Sequence, residues 1–136
     1  MCIRDRNNLG LAYYLGIGIK QDYKQALYWY TKSAKQGNAL AQYNLGLAFE
    51  KGDGVEKDYK QAHYWWKKSA QQGNAKAQFA LGNAYLKQDY KQAIYWYTKS
   101  AQQGYSEAQN NLGLAYYLGI GTVSYTHLTL PTILLV

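Results

Sequence analysis

The residues able to do chemistry are few, and their spacing argues against a reaction centre. Over residues 7–121 the only histidine is His63, and the matching positions of the sequence's other copies hold Leu27 and Ile94. A single imidazole with no cysteine and no clustered carboxylates provides neither a metal site nor a catalytic triad. Asp22, Asp58 and Asp89 recur at intervals of 36 and 31 residues. Each stands just ahead of a helical pattern, the place of an N-cap whose side chain accepts hydrogen bonds from the first turn. The glycine pairs Gly16/Gly18, Gly52/Gly54 and Gly119/Gly121 resemble phosphate-cradling loops only in composition. They join helix to helix with no strand before them, so the dinucleotide and P-loop readings fail on context. The sequence predicts no enzyme and requires no cofactor or metal.

What remains is side chains suited to binding. Three lines, Lys24/Tyr28/Lys32, Lys60/Tyr64/Lys68 and Lys91/Tyr95/Lys99, follow an i, i+4, i+8 spacing. That spacing puts each trio on one side of a helix. One reading is a solvated face with lysine stems lying along tyrosine rings. The other is a basic, aromatic surface for an acidic protein, a glycan or a nucleic acid. Arginine, the preferred fork for bidentate phosphate, is absent between residues 7 and 121, so nucleic acid is not the expected partner.

The elements that position these side chains come from a repeat. The segment NNLGLAYYLGIG occurs at residues 7–18 and again at 110–121. Leu-Gly pairs at Leu9-Gly10, Leu45-Gly46, Leu81-Gly82 and Leu112-Gly113 are spaced 36, 36 and 31. Ala-x-Tyr-Trp recurs at Ala26, Ala62 and Ala93, and a closing glycine at Gly37, Gly73 and Gly104. Each unit reads as two helices. In the first, Ala41, Leu45, Ala48 and Phe49 share one helical face. In the second, the inner face is expected to be Tyr59, Ala62, Trp65, Trp66, Ser69 and Ala70, ended by Gly73 in a left-handed conformation. A glycine inside the first helix costs about 1 kcal/mol relative to alanine. Its recurrence predicts a packing gain, with a Trp or Tyr of the partner helix lying over the gap. The tryptophans Trp29, Trp65, Trp66 and Trp96 are expected to supply most of the buried area. One pair cannot bury its apolar face alone, whereas stacked neighbours can.

The pattern Ala-x-x-x-Leu-Gly-x-x-Tyr, Gly-x-Gly, Asp-x-x-x-Ala-x-x-Trp and a closing Gly resembles the Sel-one-like repeat, a relative of the tetratricopeptide repeat. The 36-residue period is also that family's, and the resemblance covers residues 7–121. It implies an all-α fold: a right-handed superhelical α/α solenoid of helix-turn-helix repeats, with units 7–38, 39–74, 75–105 and 106–121. It also implies that first helices line a concave groove for a partner protein or peptide. On them the side away from the expected core carries Asn7, Leu11 and Tyr14; Tyr43, Leu47 and Glu50; Phe79, Asn83 and Leu86; and Asn110, Leu114 and Tyr117. The expected function is therefore a bacterial scaffold or adaptor, the alternative a glycan or cell-wall polymer bound through the tyrosine-rich faces. Unit three departs from the pattern at Tyr85-Leu86-Lys87-Gln88-Asp89, which lacks Gly-x-Gly and is five residues short; a tighter turn is expected there.

Composition sets the remaining bounds. The net charge is +7, and 13 Lys against 7 Asp and Glu leave +6 over residues 7–121. The lysines are spread at regular intervals, which suits solubility and an acidic partner. No long apolar run predicts membrane insertion. The ends need separate treatment. MCIRD can be written ATG TGT ATA AGA GAC, whose reverse complement encodes VSYTH, found near the other end. Residues 1–6 and 122–136 are therefore expected to be translated from an inverted sequencing adapter flanking a cloned insert. Neither end carries the polar capping repeat that a solenoid needs, so native repeats are expected beyond both ends, and the compartment, bacterial cytoplasm or periplasm, stays open.

Overall fold

Aspartate sets the start of every second helix. In a computed structural model, which describes residues 2–119, Asp22 Oδ1 accepts from the backbone N–H of Lys24 at 3.0 Å and Gln25 at 3.2 Å. Asp58 does the same for Lys60 and Gln61, and Asp89 for Lys91 and Gln92. These bonds satisfy first-turn donors that no helical carbonyl can reach. Replacing Asp58 by Ala should lower stability by about 1 kcal/mol in a urea titration; an unchanged midpoint would show that water serves the first turn equally well.

The described helices are α1 (Ile3–Leu15), α2 (Tyr23–Lys35), α3 (Ala39–Lys51), α4 (Tyr59–Gln71), α5 (Ala75–Tyr85), α6 (Tyr90–Gln102) and α7 (Ser106–Tyr117). There is no strand among the described residues, so the fold is all-α. Two compact units divide the chain, Met1–Asn74 with α1–α4 and Ala75–Val136 with α5–α7. Within the first, successive helices pack α1 on α2, α2 on α3 and α3 on α4; within the second, α5 packs on α6 and α6 on α7. The segment 122–136, expected to be adapter-derived, lies outside the described residues, while Ile3 to Arg6 form the first turn of α1.

Glycine ends each second helix. Gly37, Gly73 and Gly104 have φ of 99°, 100° and 89°, a region that side chains with a Cβ rarely adopt. The N–H of the following residue then returns to Ser33, Ser69 or Ser100, five residues back, in a Schellman closure. Those serines are fully buried. The Ser69 hydroxyl donates to the Ala39 carbonyl at 2.6 Å, and that of Ser100 to the Ala75 carbonyl at 2.8 Å. Each hydroxyl thus ties the end of a second helix to the start of the first helix in its own repeat.

Close packing depends on alanine and glycine. Ala26, Ala62 and Ala93 on the second helices and Ala41, Ala77 and Ala108 on the first are almost wholly buried. The first-helix glycines are covered as expected: a Cβ on Gly10 would lie 2.8 Å from the Tyr30 ring, and one on Gly82 would lie 2.6 Å from that of Tyr97. The Trp66 indole covers Gly46 more tightly still. Two expectations need correction. Tyr59 is not on the inner face but 66% exposed, because it is the first residue of α4 and precedes the turn that meets α3. Trp29 and Trp65 are only half-buried. The aromatic over the glycine is the residue one position further on, about 100° around the helix.

The shortened third repeat keeps its anchor. In the first two repeats the cap aspartate N–H, of Asp22 or Asp58, donates to the carbonyl of Tyr13 or Phe49 at 2.9 and 3.0 Å. These positions lie three residues after the glycine of Leu-Gly. The equivalent carbonyl in the third repeat is that of Tyr85, which accepts from Asp89 at 2.8 Å. The missing five residues are thus an excursion between two backbone groups that meet with or without it, and the tighter turn expected from the sequence is present.

Candidate binding surface

The polar residues of the first helices divide into those that lock backbones together and those that face outward. Gln42 is buried, donating to the Ala34 carbonyl at 3.1 Å and accepting from Gln72 at 2.8 Å. In the second unit, Gln109 donates to the Ala101 carbonyl at 3.1 Å and Gln78 accepts from Gln103 at 2.9 Å. Buried amides satisfied in this way fix the register between one helix pair and the next helix. Sequence reasoning missed them, although Gln42, Gln78 and Gln109 recur at the repeat spacing.

Of the side chains expected on the groove, Asn7 is the clearest correction. It is 1% exposed, and its side-chain carbonyl accepts from Asn44 at 3.2 Å. A neighbouring first helix covers it, so it bridges α1 and α3 and cannot face a ligand. Tyr14 is half-buried, and its hydroxyl donates to Asp53 in the α3–α4 loop at 2.8 Å. Burial, then this bond to a carboxylate, push its phenol up to about 12. Leu86 falls just past the end of α5 and packs, half-buried, against the second core cluster. Phe79 joins the same cluster, its ring 6.0 Å from Tyr97 and 5.3 Å from Tyr105.

The others form two outward surfaces, one per unit. In the first unit Leu11 is exposed on α1, and Tyr43, Leu47 and Glu50 are half-buried on α3. In the second unit Asn83, Asn110, Leu114 and Tyr117 lie on α5 and α7; Leu114 and Tyr117 are exposed. Asn83 accepts from the Tyr97 hydroxyl and, at 3.4 Å, from Asn111. An open depression of about 410 Å³ is lined by Phe79, Ser106, Glu107, Asn110 and Asn111. Apolar, aromatic and amide groups side by side can seat side chains and hydrogen-bond a peptide backbone.

The second-helix lines are placed as the spacing requires. Tyr28, Tyr64 and Tyr95 are 50%, 51% and 51% exposed. The lysine four residues on holds its ammonium 5.1 to 5.2 Å from each ring centre. On α4, burial and then the charge of Lys67 lower the His63 imidazole below its ordinary value, so it is neutral at physiological pH. No metal-binding group of His, Cys, Asp and Glu occurs among the described residues. Nor is any described helix long and apolar enough to cross a membrane.

The repeat itself decides kinship. The family model of the Sel1 repeat matches residues 6–38, 39–74, 75–105 and 106–125. The chain belongs to the Sel1 repeat family. Its all-α repeat-solenoid fold is shared with a Sel1 repeat protein from Oxalobacter formigenes, 36% identical with a TM-score of 0.84. A protective antigen of uropathogenic Escherichia coli with an SLR fold is 39% identical, with a TM-score of 0.85. The alignments cover 89% and 88% of this Sel1 chain, but only 52% and 27% of those two proteins respectively. No curated protein sequence matches it. Sel1 repeat proteins generally mediate protein–protein interactions, and the family is generally non-enzymatic.

Proposed function

We propose that this Sel1 repeat chain is a scaffold or adaptor whose first helices line a concave groove that holds a partner protein or peptide. The observation that carries the reading is the contrast between the two sets of helices. Second helices repeat nearly the same outward residues, whereas first helices change theirs: Tyr43, Phe79 and Asn110 occupy one equivalent position, and Tyr14, Glu50 and Tyr117 another. A varied array of aliphatic, aromatic and amide groups suits a non-repetitive polypeptide, with a few anchors supplying most of the affinity. The Gln and Ser networks hold the backbones behind these side chains, so little ordering is needed on binding.

Phe79 and Tyr14 also serve packing, which makes them poor probes of binding. The better test replaces Leu11, Leu47 and Leu114 together by Ala in the full chain. A partner captured from bacterial lysate and identified by mass spectrometry should bind about tenfold more weakly to this variant. The Tyr28/Tyr64/Tyr95→Ala variant should keep it. Equal capture by wild type and the leucine variant, with helicity intact, would sink the groove.

A further inference from the structure

The second helices carry a different surface from the first, and its chemistry is repetitive. None of α2, α4 and α6 contains an Asp or Glu, and each contains at least two lysines. On every one a tyrosine, Tyr28, Tyr64 or Tyr95, stands about half exposed. The next residue, a tryptophan, meets it edge-on at 5.0 to 5.1 Å and 85° to 86°. That contact props the ring outward. Lys32, Lys68 or Lys99 then folds its ammonium over the ring at 5.1 to 5.2 Å. The geometry is almost the same three times.

We propose that each of these Lys–Tyr units binds a sugar of an acidic polysaccharide whose sugars carry carboxylates. The same local unit occurring three times matches a ligand that is itself a repeat of one monomer. An acidic protein segment presents a changing sequence and gains nothing from that uniformity. Within each unit the ammonium leaves its ring for a sugar carboxylate, and the apolar face of the sugar takes its place on the ring. The tyrosine hydroxyl then bonds the sugar hydroxyls. Nucleic acid is the less suitable polyanion, because every cation on these helices is a lysine, a point charge, and none is the arginine fork that grips phosphate. This surface does not use the first-helix face, so it stands or falls independently of the groove.

The test is titration of the full chain with polygalacturonate, followed by affinity electrophoresis. Poly-L-glutamate, a neutral glucan and oligo-dT serve as comparisons. Polygalacturonate should bind, more weakly as salt rises, and the neutral glucan should not. Tyr28/Tyr64/Tyr95→Ala and Lys32/Lys68/Lys99→Gln should each weaken binding about tenfold while leaving circular dichroism unchanged, since these side chains stand at the surface. The Leu11/Leu47/Leu114→Ala variant should bind polygalacturonate like wild type. Equal affinity for polyglutamate, with no effect of the tyrosine substitutions, would reduce the surface to unspecific charge. Tighter binding of oligo-dT would reassign it to nucleic acid, and no retention of polygalacturonate at low salt would overturn it outright.

Discussion

Replacing Tyr97 by Ala should lower the unfolding free energy by about 3–5 kcal/mol, the range for deleting a large buried aromatic. Tyr97 is 1% exposed and lies over Gly82. It shares its cluster with Ala93, Ala101, Ala108 and Leu112, all small or tightly held, so α5, α6 and α7 cannot collapse far into the space it leaves. Its hydroxyl donates to Asn83 at the surface end of the ring, where water can replace it. Tyr97→Phe should therefore cost only about 1 kcal/mol. Urea titration of the 136-residue chain by circular dichroism separates the two variants. A loss below about 1 kcal/mol for Tyr97→Ala would mean that α6 is held mainly by its alanine contacts and the serine and glutamine bonds.

Gly46→Ala should destabilise the protein by about 1–3 kcal/mol, opposite in sign to the helical preference. Within an isolated helix the change would gain about 1 kcal/mol. Here the new methyl would meet the Trp66 indole well inside contact distance. Trp66 is 4% exposed, so the ring is already closely confined. The same argument predicts coupling: Trp66→Leu should recover part of the Gly46→Ala loss, because the two residues share one space. Thermal or urea midpoints of the two single variants and the double variant measure it. A rise in stability for Gly46→Ala alone would show that the helices separate at little cost and that the glycine is not there for close approach.

Much of the local structure was legible in the residues themselves because its causes are local. The cap aspartates, the left-handed closing glycines and the turn of the third repeat each depend on a few neighbouring groups. Four copies in register made those signals unambiguous. Covering of the first-helix glycines was legible too, since a glycine that recurs inside a helix needs a packing reason. The Lys–Tyr lines followed directly from i, i+4 spacing. Even the glutamine network left a trace, a polar residue repeating at the period of the core.

The identity of the covering aromatic was decided by the crossing of two helices. Trp29 and Tyr30 are adjacent, and rotation by one residue chooses which meets Gly10; composition favours the tryptophan, whereas the packing puts Tyr30 there. Asn7 looked outward by periodicity yet is buried, because its partner Asn44 is 37 residues away on the neighbouring first helix. Tyr14 meets Asp53 across 39 residues in the same manner. The repeat, its helices and their ends thus follow from residue patterns a few positions long. Which first-helix side chains pack on the adjacent repeat and which stay outward is a matter of packing, because that division is made by contacts between residues a whole period apart.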